Sequence, residues 1–176
     1  MNLKKINNAV YQSEKKLSKF NKEDINYLKS NLDDAPLKRN RICVHKNIND
    51  EIHEMLIVMD KKTYIRPAKH FNKSESLFVI EGDAEAIFFH EDGTIKKIIK
   101  LGAYNSGDNF YYRMDEPIYH TLLIISDVFI FKEVTKGPLI ESDTISATWS
   151  PPEENTKLVQ DYQKRLLTQV HNFKNK

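Results

Sequence analysis

Three ionisable residues, His70, Glu75 and His120, have the types and positions from which a small reactive centre is built. His70 follows an extended run that ends Thr63-Tyr64-Ile65-Arg66-Pro67, and Glu75 opens the next apolar run. His120 sits in Ile118–Ser126, where Ile118, Leu122 and Ile124 share its alternating face. That face is interior by its composition, so His120 points inward. A lone inward histidine is more commonly a core residue hydrogen-bonded to a neighbour. Two imidazoles and one carboxylate together are a different matter. They form the facial set of non-haem Fe(II) sites and also suit Zn²⁺ with a water.

Such a set needs a scaffold that aims strands at one point, and the hydrophobic pattern supplies one. From Arg41 to Val134 the period is two, with short runs separated by turn signals. The expected strands are 41–45, 51–59, 63–66, 75–81, 84–90, 94–101, 109–113, 118–126 and 128–133. Glu91-Asp92-Gly93 reads as a hairpin turn, and Gly82 stands where a positive φ is needed. Many short strands at close spacing predict a mainly β sandwich or barrel over residues 41–140.

The flanks are helical in pattern. Ile25, Leu28 and Leu32 share one face, Asn21 is placed to cap, and Pro36 closes the helix. Residues 1–20 read as a weaker helix through Ile6, Val10, Leu17 and Phe20, which makes 1–40 an N-terminal helical segment. Residues 141–176 form a loop, punctuated by Trp149-Ser150-Pro151-Pro152, and a last helix with Leu158, Tyr162, Leu166, Val170 and Phe173 on one stripe. Such stripes pack on their own domain or on a second copy. Paired apolar-striped helices favour a homodimer.

The chain has 176 residues, 30% of them charged, and a net charge of +2. The basic surplus lies at the two ends, while residues 41–152 carry thirteen basic and seventeen acidic side chains. No concentrated basic face with interleaved aromatics appears, so nucleic acid is not an expected partner. The single cysteine, Cys43, excludes a disulfide framework and reads as a buried small hydrophobe. No apolar run is long enough for a membrane helix and no signal segment is evident, so the expected location is the cytoplasm.

Arg66-Pro67-Ala68-Lys69-His70, then Glu75 and Gly82, resembles the first cupin motif, and Asp115 to His120 resembles the second. More narrowly, the chain resembles the WbuC family of cupin-fold metalloproteins through Arg41–His45, Thr63–Pro67, Tyr119-His120-Thr121, Phe131–Pro138 with Glu133, and Trp149-Ser150-Pro151. The resemblance implies a double-stranded β-helix, or jelly-roll barrel, with flanking N- and C-terminal helices. It implies a divalent metal (Zn, Fe, Mn or Ni) on His70, Glu75 and His120. It also implies a role in bacterial surface-polysaccharide (O-antigen or capsule) biosynthesis, on a sugar or nucleotide-sugar intermediate.

Isomerisation or epimerisation is the reaction expected there. The alternatives are a sugar-binding cupin without turnover and an Fe(II)-dependent dioxygenase. One departure bears on all three. The family's first motif histidine is Ala68 here, which removes a ligand and predicts weaker metal binding. Arg66 and Lys69 flank the expected mouth as candidate phosphate or carboxylate contacts, and Tyr64, Tyr112 and Tyr119 as sugar-stacking or phenolic groups. Each of these also has an ordinary packing or surface ion-pairing explanation.

Overall fold

A computed structural model describes residues 3–175. Its strands, in chain order, are β1 (Leu3–Lys5), β2 (Val10–Ser13), β3 (Arg39–Cys43), β4 (Ile52–Asp60), β5 (Ala68–His70), β6 (Glu75–Glu81), β7 (Ala84–Phe89), β8 (Ile95–Leu101), β9 (Tyr111–Met114), β10 (Tyr119–Ile124), β11 (Val128–Lys136) and β12 (Thr144–Ser146). Helix α1 (Lys22–Ser30) precedes β3, and α2 (Thr156–Lys174) ends the chain.

The strands form two sheets, ordered β1-β2-β3-β4-β11-β6-β9 and β12-β5-β10-β7-β8. Within them, β4 to β11 make two four-stranded halves, β4-β11-β6-β9 and β5-β10-β7-β8, and the chain changes sheet at nearly every connection. That order is the jelly roll, or double-stranded β-helix, of the cupin fold. The expected closed barrel is instead an open two-sheet sandwich. β9, the edge of the first sheet, has four residues, β5 has three and is flanked by β12, and no ladder joins the two sheets among the described residues.

Three apolar clusters hold the layers together. The central one lies between the sheets and includes Met55, Ile57, Leu77, Val79, Phe88, Phe129 and Phe131. A second packs α1 on the outer face of the first sheet, with Leu28 and Leu32 against Ile42, Leu56, Val58 and Ile130. The third packs α2 on the outer face of the second sheet, through Val159, Tyr162, Leu166 and Val170 against Ile87, Phe89, Tyr64 and Tyr119. Being covered on both faces explains why Met55–Met59 of β4 and all of β7 are buried without alternation.

Local chemistry sets several boundaries. Asn21 Oδ1 accepts from the amides of Glu23 (2.9 Å) and Asp24 (3.2 Å), while Asp24 Oδ2 accepts from the Asn21 amide at 2.8 Å. This reciprocal cap starts α1 where the sequence placed it. Gly82 and Gly93 both adopt positive φ, +85° and +84°, at the two turns expected to need it.

Three expectations are corrected. Residues 3–20 are not helical: β1 and β2 pair as a hairpin, and β2 adds in parallel to β3. The first two residues of the expected helix lie outside the described ones. Asn7 Oδ1 accepts from the Ala9 amide and makes the turn, Tyr11 is buried against Tyr27, and Ile6 and Leu17 of the supposed stripe are exposed. Residues 3–13 therefore extend the first sheet, while α1 is helical as expected. Thr63–Arg66 is not a strand; Thr63 Oγ1 is tied to the Lys38 carbonyl, and Pro67 lacks an amide to donate, so pairing begins at Ala68. On α2, Leu158 and Phe173 are solvent-exposed, and Val159 takes the buried position in their stripe. The buried stripe of α2 is spent on its own sheet, while Leu158, Leu167 and Phe173 stay exposed.

Buried charge gives the fold a test. Glu85 lies in the fully buried β7, where Lys174 of α2 is its ion-pair partner and its second carboxylate oxygen is unpartnered. Lys174→Met should destabilise the protein by about 1 to 3 kcal/mol, because it strands a buried carboxylate. Glu85→Gln should cost less. Chemical denaturation that finds the two equal would refute the pairing as a stabilising contact.

Candidate functional site

The two sheets bring His70, Glu75 and His120 to one place. His120 on β10 lies directly opposite Ala68 of β5, and His70 is two residues further along β5 on the same face. Glu75 begins β6 in the facing sheet, between Thr135 and Met114 in register. The candidate ligand atoms all lie within 4.8 Å of one another. Glu75 Oε1 is 3.6 Å from His120 Nε2, and Glu75 Oε2 is 4.0 Å from His70 Nε2. These separations are too long for good hydrogen bonds.

The other ring nitrogens are engaged. His120 Nδ1 donates to the Ile118 carbonyl at 3.0 Å, which fixes the tautomer because a carbonyl only accepts. His70 Nδ1 lies 2.9 Å from Thr144 Oγ1. Both Nε2 atoms are thereby turned toward Glu75, the arrangement metal-ligating histidines usually have. Tetrahedral or facial ligand atoms about 2.1 Å from an ion lie about 3.0–3.4 Å apart, so Glu75 and His120 at 3.6 Å are nearly spaced for one, while the widest pair of the cluster, within 4.8 Å, must close by about 1.5 Å. The residues fit a divalent ion.

For His70 and Glu75 electrostatics points the same way. Burial depresses His70, against the pull of Glu75, to about 4, so its imidazole is neutral and free to ligate at physiological pH. Burial would raise Glu75, but His120 and His70 outweigh it and hold the carboxyl below its ordinary value. Burial would likewise lower His120, but the Glu75 carboxylate outweighs it and raises it.

The triad lies in a cleft of about 1060 Å³ between the sheets, with Leu77, Leu122 and Phe131 on its apolar wall. Glu133 also lines it, and burial, with repulsion from Glu75, pushes its carboxyl up to about 7. A group half ionised near neutrality can take or give a proton. Tyr112 lines the cleft too, its phenol raised by burial and by the two glutamates.

The other expected contacts divide by strand parity. Lys69 and Tyr119 alternate with His70 and His120, so they face outward. Lys69 pairs with Glu91 at 2.7 Å and lies over the Tyr119 ring, which packs against Trp149. Tyr64 is buried under α2, its hydroxyl donating to the Pro151 carbonyl. These three are not at the cleft. Arg66 does line it, but Nη2 is engaged by the Ala147 carbonyl at 3.1 Å. Away from the site, His45 stacks on His53, His90 and His171 are exposed, and Cys43 is buried in the central core. Glu133, Arg41 and Lys73 all line the cleft but were not among the expected site residues, the first two entering only as parts of the family resemblance. Alternation along β11, with Phe129, Phe131 and Glu133 on one face, was the available signal for the first.

Fold and site together define a cupin-fold protein with a His/Glu/His cluster between its sheets. A family model described as a domain of unknown function (DUF6016) matches residues 20–101. No curated protein matches the chain. Among solved structures, a Shewanella oneidensis protein is similar at 7% identity and a TM-score of 0.47, covering 58% of this chain and 66% of that one. The cupin domain of Schizosaccharomyces pombe Cnp3 is similar at 10% identity and 0.44, over 56% and 64%. Bacillus subtilis oxalate decarboxylase is similar at 15% identity and 0.42, over 56% and 24%. The chain spans less than two thirds of the length of each.

Proposed function

We propose that this chain binds one divalent ion on His70, Glu75 and His120 and acts on a small molecule in the adjoining cleft. The observation that carries the reading is the convergence of three ligand atoms within 4.8 Å, with both imidazole Nε2 atoms left free. Bound there, the ion would polarise a carbonyl or hydroxyl oxygen of the ligand. Glu133 is the chain's own candidate to move a proton, and the apolar wall excludes water.

The WbuC resemblance supports a sugar or nucleotide sugar as substrate, isomerisation or epimerisation as reaction, and surface-polysaccharide biosynthesis as setting. A reduced cysteine fits a cytoplasmic location, and no described helix is long and apolar enough to cross a membrane. A homodimer remains part of the reading, with its surface moved from the helices to the exposed aromatics Phe78, Tyr104, Phe110 and Tyr111 around β6 and β9. The three-ligand face also favours a second reading, Fe(II)-dependent dioxygenation.

Chelator-stripped protein should take up close to one equivalent of Mn²⁺, Zn²⁺ or Fe²⁺. An ion at a hundred times its dissociation constant should stabilise the fold by about 2.7 kcal/mol. Calorimetric titration and thermal unfolding with and without ion measure both. No heat and no shift at millimolar ion would refute the metal reading, and metal-dependent O₂ consumption would replace the isomerase with the dioxygenase.

A further inference from the structure

Two cations in the cleft have no anionic partner. Arg41 stands on the face of β3 that also carries Cys43 into the central core, and its Nη1 meets only the weak acceptor Met55 Sδ, at 3.7 Å. Lys73, half-buried in the connection between β5 and β6, lines the same cleft. Among the described residues neither belongs to an ion pair, whereas the cleft's Arg39 is matched by Glu153 at 3.2 Å. Glu133 feels both Arg41 and Lys73 but lies outside pairing distance of either. A half-buried guanidinium with its planar fork of donors unused is costly unless something else fills the fork.

We propose that the cleft is built to take an oxyanion, the carboxylate or phosphate group of a small molecule, with Arg41 gripping its oxygens and Lys73 supplying a second positive contact. The proposal deepens the metal-binding reading and rests on it for the other end of the ligand. With the ion bound, charge adds to it. The ion's two positive charges, with Arg41, Arg66 and Lys73, would stand against Glu75 and Glu154, an excess of three positives, or two with Glu133 ionised, the Arg39–Glu153 pair cancelling. Buried positive charge of that size calls for an anion. A neutral sugar would leave it uncompensated.

The test titrates Mn²⁺-loaded protein with D-glucuronate, D-glucose 1-phosphate and D-glucose by calorimetry. At least one anionic probe should bind about tenfold or more tighter than glucose, the worth of one charge-assisted contact. Binding of glucuronate alone identifies a carboxylate ligand, and binding of the phosphate alone a phosphate ester. Arg41→Met and Lys73→Met should each lose about tenfold or more for that probe, while Mn²⁺ affinity stays within about twofold. Arg41→Lys, which keeps the charge and the fold but not the fork, should fall between. Anionic probes no tighter than glucose, or an unaffected Arg41→Lys and Lys73→Met pair, would overturn the proposal. If Mn²⁺ itself does not bind, the metal reading falls, and the same titrations on metal-free protein still judge Arg41 and Lys73.

Discussion

Glu75→Gln is expected to lower divalent-ion affinity by about a hundredfold or more, near 2.7 kcal/mol, while leaving the sandwich folded. Glu75 is the one carboxylate in the cluster and sits between the two imidazole Nε2 atoms. Its replacement keeps volume and shape but removes the negative charge that an ion needs. Folding should survive because the change also removes a buried charge, whose desolvation works against the native state. The metal-free variant should therefore unfold at about the same temperature as the wild type, and only the metal-induced rise should disappear. Calorimetric titration and thermal unfolding separate these effects. A variant that still binds with wild-type affinity would place the ion elsewhere.

The inward histidine was legible because strand parity is local. His120 shares its face with Ile118, Leu122 and Ile124, and in the structure these side chains do line the interior. Glycines with positive φ and the Asn21 cap were legible for the same reason, since each depends on a few neighbouring residues. Parity was applied less strictly to Lys69 and Tyr119. Each is adjacent in sequence to an inward residue, and each therefore faces away from the cleft.

Long-range pairing was the part that period alone could not supply. Whether 1–20 became helix or strand was decided by the free edge of β3, which lies some thirty residues away in the sequence and offers hydrogen bonds to β2. In the strand form Tyr11 is buried, while Ile6 and Leu17 stay exposed. The unpartnered state of Arg41 was similarly invisible. It arises because β3 carries the guanidinium over the cleft, where Met55 Sδ is its one acceptor contact among the described residues.

Ala68→His is expected to raise divalent-ion affinity by about tenfold or more, about 1.4 kcal/mol. Ala68 pairs directly with His120 across β5 and β10, lines the cleft, and stands two residues before His70 on the same face. Side chains directly opposite on neighbouring strands have Cβ atoms about 5 Å apart, so an imidazole there comes within reach of the point His120 faces. The opposing strand on the other side, β12, presents Ser146, which is small enough to leave the space open. A fourth protein ligand would take a position otherwise left to water or substrate, and fourth ligands characterise closed structural sites. The same change should therefore tighten the ion and slow any turnover that needs the open position. Without metal the variant should be somewhat less stable, because a third imidazole crowds a partly desolvated cluster. Ala68→Gln, of similar bulk but without the ring nitrogen, controls for simple filling of the cleft. Equal ion affinities for wild type, Ala68→His and Ala68→Gln would mean that the β5 face does not point at the ion, and the assignment of His70 as its neighbouring ligand would fall with it.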